Sequence, residues 1–494
     1  MSTGKLTREI IDNITAQIQR LYLEDTIPWV VGYSGGKDSS ATLQLVWYAI
    51  SKLPVESRHK TIHVISTDTL VESPVMSMWV ILSHEKIKAA ADEQQMPIVP
   101  HRLTPEIKDS FWVNLIGKGY PAPRITFRWC TSRLKIQPSN IFITNVVATH
   151  GEAIVVLGTR KAESANRASN MSFYENKRMR DGLSPNASLP NSLIFTPIED
   201  WSDDNVWTFL MQYPNPWGFS NKELLTMYRG ATADNDCPLV VDSSTPSCGN
   251  SRFGCWVCTL VSEDKSMKAM IQNDSEKSWM TPMLELRNEL GKTDSSGKIN
   301  DRDKRDFRKM HGNILLHNGQ AVHGPYTKVW REYWLTRLLE VEIEVQQKGP
   351  EEFRKIKLIS DDELREIRRI WVLNKHEFDD SLPRIYEKVT GNSYNYLNDI
   401  YRKPLGHDEW NLLKEICEGD ELFFQLQTSL LDIEQQNYGY SVRKGLLDQL
   451  QNEIKKAFYT DEEDALEYKK QRENQKIELE KQLDFDHLLL SSYE

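Results

Sequence analysis

A short apolar run followed by two adjacent glycines and then a helical pattern constrains this chain more than any other feature. The stretch 29–50 reads W-V-V-G-Y-S-G-G-K-D-S-S-A-T-L-Q-L-V-W-Y-A-I. Trp29, Val30 and Val31 suit a strand buried on both faces, while Leu43, Val46, Trp47 and Ile50 recur at helical spacing. Between them lie Ser34, Gly35, Gly36, Lys37, Asp38 and Ser39. Paired glycines let backbone N–H groups approach an anion, and the following helix aims its positive dipole end at the same point. The stretch is therefore expected to cradle phosphate. It is not a Walker A loop, which needs glycine at the position of Val31 and Ser or Thr at that of Asp38.

The flanking sequence reads as alternating strands and helices. Ile10, Ile11, Ile14, Ile18 and Leu21 share one face of an N-terminal helix. Strands are expected at 61–66, 98–103 and 153–158, with a helix over 74–95, which is the pattern of parallel βαβ winding. Asp68 follows the second strand directly. Ligands of open α/β sheets lie beyond the carboxyl ends of strands, so Asp68 is expected to face a nucleotide. Gly158, Arg160 and Arg167 follow the fourth strand, where guanidinium forks suit a polyphosphate. Ser202 is an N-cap candidate for a helix running to Gln212.

Cys130 sits among Arg124, Arg128, Arg133 and Lys135. Such cations favour a reactive thiolate, although a buried cysteine in a basic loop has the same sequence. Cys237, Cys248, Cys255 and Cys258 are crowded into a segment containing Pro238, Pro246, Gly249 and Gly254. Four thiolates hold either an iron–sulfur cluster or zinc. Only one C-x2-C knuckle is present, and no histidine lies between His150 and His311.

Four motifs occur in order: S-G-G-K-D-S (34–39), R-W-C-T (128–131), G-x-R-x-x-E-S-x-x-R (158–167) and P-I-x-D-W-x-x-x-x-V-W (197–207). The set resembles the phosphoadenosine phosphosulfate reductase family of ATP pyrophosphatases, over roughly residues 25 to 215. With the cysteine segment and the helical tail, the chain resembles more narrowly the DndC family, the iron–sulfur ATP pyrophosphatases of DNA phosphorothioation. The resemblance implies ATP cleavage to AMP and pyrophosphate with Mg²⁺, and replacement of a non-bridging DNA phosphate oxygen by sulfur. It also implies a 4Fe-4S cluster on Cys237, Cys248, Cys255 and Cys258, with Lys37, Asp38 and Cys130 catalytic. Implied partners are DNA, a cysteine desulfurase as sulfur donor, and phosphorothioation subunits of the DndD and DndE type, met through the helical C-terminal region. Two other readings stay open. One is a sulfonucleotide reductase, against which stands the lack of an E-C-G-[IL]-H motif and of an adjacent cysteine pair; the other is a metal-stabilised DNA-binding subunit without turnover.

The expected fold is thus α/β: a parallel-sheet, adenine nucleotide α-hydrolase-like ATP pyrophosphatase core (1–225), a cysteine-rich cluster and basic linker region (226–325), and a helical C-terminal domain (326–494). Its 494 residues allow about three units at roughly one per 150. The net charge of −10 argues against a generally basic coat. The run D-R-D-K-R-D-F-R-K-M (301–310) fits either a stripe along a DNA backbone or a solvated face. Ser360 and Glu363 form a capping-box pattern, and Cys417 reads as an inert core thiol. No apolar run reaches the roughly 18 residues of a membrane span, and 1–10 lacks a signal-peptide core, so a cytoplasmic location with no membrane partner is expected.

Overall fold

The structure, a computed structural model, describes residues 5–178, 180–231, 253–395 and 405–491. Two compact units are present. The first comprises Met1–Phe111, Pro123–Gly291 and Glu344–Ile356; the second comprises Trp112–Ala122, Lys292–Ile343 and Lys357–Glu494.

The first unit is built on a six-stranded sheet in the order β3-β2-β1-β4-β6-β5. Its strands are β1 (Trp29–Gly32), β2 (Ile62–Thr67), β3 (Ile98–Leu103), β4 (Ala153–Val156), β5 (Leu183–Pro185) and β6 (Ser192–Phe195). The four pairings that link β3, β2, β1, β4 and β6 are parallel, and only β5 runs antiparallel, against β6. The apolar run of β1 lies at the centre: Trp29, Val30 and Val31 are fully buried, as a strand covered on both faces requires. Each such side chain contributes about 1.5–3 kcal/mol of burial energy.

Around the sheet lie α1 (Arg8–Glu24), α2 (Lys37–Ser51), α3 (Pro74–Glu93), α4 (Gln137–His150), α5 (Ala165–Glu175), α6 (Asp203–Gln212) and α7 (Asn221–Gly230). Helix α2 is buried along most of its length, including the polar Gln44. Gln44 Nε2 donates to the carbonyls of Tyr213 and Pro214, and its Oε1 accepts from Asn221, so burial leaves no group unsatisfied. Helix α6 begins where its cap predicts: Ser202 Oγ accepts from the N–H of Asn205. The sequence reading placed no strands at β5 and β6. Both are three or four residues long, too short to show a period.

The second unit is helical. It includes α8 (Asp361–Arg369), α9 (Ser381–Thr390), α10 (His407–Ile416), α11 (Glu421–Asn437), α12 (Leu446–Lys456) and α13 (Glu462–Ser491). Ser360 and Glu363 form the expected capping box, and Cys417 is buried. The basic run is a solvated face only in part: Arg302 and Asp303 are exposed, but other cations turn inward. Arg308 is 7% exposed and bonds to Asp306, the Lys456 carbonyl and Gln425, while Arg305 bonds to the carbonyls of His323 and Gly324 and pairs with Asp301. Lys304 lies 4.3 Å from the Trp330 ring centroid. These cations bind the unit together from within. No helix among the described residues is long and apolar enough to cross a membrane.

Gly158, at the end of β4, shows how closely sheet and helix meet. A Cβ there would stand 2.7 Å from the Asp38 carbonyl oxygen and 2.9 Å from Thr42 Oγ1, both on α2. We expect Gly158→Ala to lower the unfolding free energy by about 1–3 kcal/mol in urea denaturation, because the clash is with backbone. An unchanged midpoint would show that strand and helix separate freely here.

Candidate functional site

The carboxyl ends of β1, β2 and β4 open onto a cavity of about 860 Å³. Switch points of this kind are where open α/β sheets hold ligands. The loop 34–39 forms one wall. Gly35 has φ of 75°, in the left-handed region, and a Cβ on it would fall 2.8 Å from Val80 Cγ2. Trp79 Nε1 donates to the Gly35 carbonyl (3.1 Å), and Ser39 Oγ both accepts from the Ser34 N–H (3.2 Å) and donates to the Gly36 carbonyl (3.0 Å). These bonds fix the loop so that the N-terminal turn of α2 faces the cavity.

Two cations and two carboxylates meet beside this loop. Lys37 Nζ is 2.9 Å from Asp38 Oδ2 and 3.2 Å from Asp203 Oδ1. Arg160 Nε donates to Asp38 Oδ1 (2.7 Å), its Nη2 to Asp203 Oδ1 (2.5 Å), and its Nη1 to the Trp201 carbonyl (3.1 Å). The Arg160 side chain is only 3% exposed. Burial pulls both cations toward the neutral form, but the carboxylates outweigh it and hold Lys37 and Arg160 above their ordinary values. Burial likewise pushes Asp203 up, and Lys37 and Arg160 reverse the shift, leaving it below the usual carboxylate range. Lys37, Arg160 and Asp203 therefore stay charged at neutral pH.

The remaining residues expected to bind nucleotide are brought to the same cavity. Ser34, Gly36, Ser39, Asp68, Gly158 and Arg167 line it. Asp68 pairs with Arg102, and Arg167 with Glu163. The sequence reading missed Asp203, Tyr228, Glu72 and Arg102, which also line the cavity. Asp203 is the first residue of a capped helix, where an acid is ordinary, and nothing local distinguishes it. Tyr228 lies in an amphipathic helix with no signal at all.

The cysteine turn is stitched to the end of β2. Glu72 and Cys255 form an antiparallel bridge, the Trp256 N–H donates to the Val71 carbonyl (3.0 Å), and that of Ser73 to the Gly254 carbonyl (3.4 Å). Cys255 Sγ lies 3.3 Å from Thr69 Oγ1 and 3.7 Å from Glu72 Oε1. Glu72 in turn pairs with Lys135 at 3.4 Å, and both line the cavity. Burial and the Glu72 charge push the Cys255 thiol up to about 12, with Lys135 opposing them. A bound metal would reverse this, since a ligating thiol loses its proton. Cys258 N–H donates to the Cys255 carbonyl (3.0 Å), the tight turn of a C-x2-C knuckle. Cys255 and Cys258 thus fit part of a thiolate-held group. Cys237 and Cys248 lie outside the described residues, and among the described residues no set of three or more ligands is arranged for a metal ion.

Cys130 departs from expectation. Its thiol is raised above its ordinary value, chiefly by burial, with the neighbouring Cys258 adding to the shift. Two of the expected cations are committed elsewhere: Arg133 pairs with Asp109, and Lys135 with Glu72.

An open parallel sheet, a glycine loop capping a helix and a charged cavity at the strand ends define a nucleotide-binding α/β domain. Residues 28–260 match the phosphoadenosine phosphosulfate reductase domain. The domain supports a nucleotide-utilising activity of the sulfur-transfer or reductase type. An uncharacterized protein of Methanocaldococcus jannaschii is 29% identical over 213 residues, which cover 42% of this chain and 37% of that protein. The match spans little more than a third of that relative's length.

The network makes a prediction of its own. Arg160→Lys keeps the charge but cannot make the fork to Asp38, Asp203 and the Trp201 carbonyl. We expect a loss of about 1–3 kcal/mol in unfolding free energy, read by urea denaturation. Full stability in the lysine variant would reduce Arg160 to a point charge.

Proposed function

We propose that this protein cleaves ATP to AMP and pyrophosphate, and uses the cleavage to activate a DNA backbone phosphate for replacement of a non-bridging oxygen by sulfur. One observation carries the reading: Glu72, paired with Lys135, lines the cavity and also lies 3.7 Å from Cys255 Sγ, so the cavity and the cysteine turn share a wall.

The loop amides of Gly35 and Gly36, with Lys37 and Arg160, hold the β- and γ-phosphates of ATP. Asp38 and Asp203 are the carboxylates through which Mg²⁺ would be held with the nucleotide. A phosphodiester oxygen of DNA attacks the α-phosphorus, and pyrophosphate leaves against Lys37 and Arg160, whose charge is fixed in advance. The DNA phosphate now bears AMP, a leaving group its oxygen was not. The outer sulfur of a persulfide on Cys130, supplied by a cysteine desulfurase, attacks that phosphorus and AMP departs. A second thiol then attacks the Cys130 sulfur, giving a disulfide and freeing the phosphorothioate, and a thiol reductant restores both cysteines. Cys237, Cys248, Cys255 and Cys258 would hold a 4Fe-4S cluster, which supplies one-electron chemistry when bound. Partner subunits of the DndD and DndE type are proposed to meet the helical C-terminal region. The domain family's own description favours the alternative of sulfonucleotide reduction, which the products separate.

Purified protein should yield AMP and pyrophosphate from ATP, and Gly36→Val should abolish this, since even a Cβ at Gly36 reaches 3.0 Å from Tyr228 Oη. ADP and phosphate as sole products would sink the reading, and sulfite formed from phosphoadenosine phosphosulfate would select the reductase instead.

Anaerobically prepared protein should be brown. Cys255→Ser should lose the iron, whereas Cys417→Ser, altering a buried thiol of the other unit, should not. Cys130→Ser should keep iron and ATP cleavage but lose DNA phosphorothioate in cells. Iron loss in that variant would make Cys130 a ligand and not a sulfur carrier.

A further inference from the structure

Tyr228 is placed where no local sequence signal put it. Its ring is held edge-on by Trp207 (5.2 Å between centroids) and Phe253 (5.0 Å), both contacts that a phenylalanine would make equally well. The hydroxyl does something else. Oη accepts a hydrogen bond from the backbone N–H of Lys37 at 3.3 Å, the first helical amide of α2 and one that has no partner within the helix. Tyr228 lines the cavity, and the Lys37 ammonium lies 5.9 Å from its ring centroid.

Because that bond uses an oxygen lone pair, the hydroxyl hydrogen remains available. Among the described residues it has no acceptor. Burial raises the phenol above its ordinary value, with Lys37 opposing, so the proton is retained at neutral pH. A phenolate would repel an anion, whereas a phenol donates to one.

We propose that Tyr228 is a phosphate-recognition residue, its hydroxyl relaying the Lys37 amide to an oxygen of the bound pyrophosphate moiety. This rests on the ATP pyrophosphatase reading and adds a specificity determinant to it. The loop amides address any phosphate at the helix end, but Tyr228 stands on α7 and closes the cradle from outside the loop. It therefore favours the β- and γ-phosphates over a nucleotide that has only the α-phosphate.

The test is calorimetric titration of wild-type and Tyr228→Phe protein with inorganic pyrophosphate, ATP and AMP. A hydrogen bond to a charged group corresponds to about a tenfold to hundredfold change in affinity. The phenylalanine variant should lose that much for pyrophosphate and ATP while binding AMP within about twofold of wild type. Equal pyrophosphate affinity in both proteins, with ATP still cleaved to AMP, would overturn the inference and leave the reading beneath it standing. Tighter pyrophosphate binding by the variant would overturn it too, by making the hydroxyl a competitor for the Lys37 amide. So would loss of AMP binding along with the rest, which would mark the hydroxyl as a support of the fold. A wild-type protein that binds none of the three would remove both the inference and the reading on which it rests.

Discussion

The charge network of Lys37, Asp38, Arg160 and Asp203 is the interaction on which the architecture of the candidate site depends. Its members come from three separate places: the start of α2, the turn after β4 and the start of α6. Two positive and two negative side chains are gathered beside one loop, with the Arg160 side chain almost wholly out of water. Ion pairs in such surroundings are weak contributors to net stability, because desolvation offsets their attraction. Their value here is positional. Cations fixed in advance at the end of a helix stabilise charge on an incoming polyphosphate without reorganising when it arrives.

The same economy of position governs the thiols. A thiol withdrawn from water resists ionisation, and burial raises both Cys255 and Cys130. Against the expectation that nearby cations would make Cys130 a thiolate stand its burial, which raises the thiol, and the pairing of two of the four cations, Arg133 and Lys135, with carboxylates. Lys135 illustrates the competition: its ammonium pairs with Glu72 at 3.4 Å. A cysteine's neighbours in sequence do not decide its electrostatics; the partners those neighbours find in space do.

The helical unit makes a related point about charge. A run of alternating acids and bases reads as solvent-facing or nucleic-acid-facing, yet Arg305 and Arg308 are spent on backbone carbonyls, Gln425 and aspartates of their own segment. Arginine's planar fork can satisfy several acceptors at once, which is why it is buried where lysine would not be. The DNA contact proposed for this protein therefore has to be sought on other cations.

Local pattern was enough to specify a good deal. The apolar run 29–31 dictated the central strand, Ser202 dictated the start of α6, and the paired glycines before Lys37 dictated a loop that meets a helix end. Each depends only on residues within a turn or two of one another, where periodicity, capping and backbone freedom act. Tertiary structure alone decided which distant side chains meet. Asp203 joined Lys37, Tyr228 reached the first amide of α2, and Glu72 came to lie between the nucleotide cavity and Cys255. Strands β5 and β6 likewise needed each other and β4 to be recognised, being too short to carry a period. Contacts between residues tens to hundreds apart are set by how the sheet and its helices pack, and a single sequence holds no local trace of them.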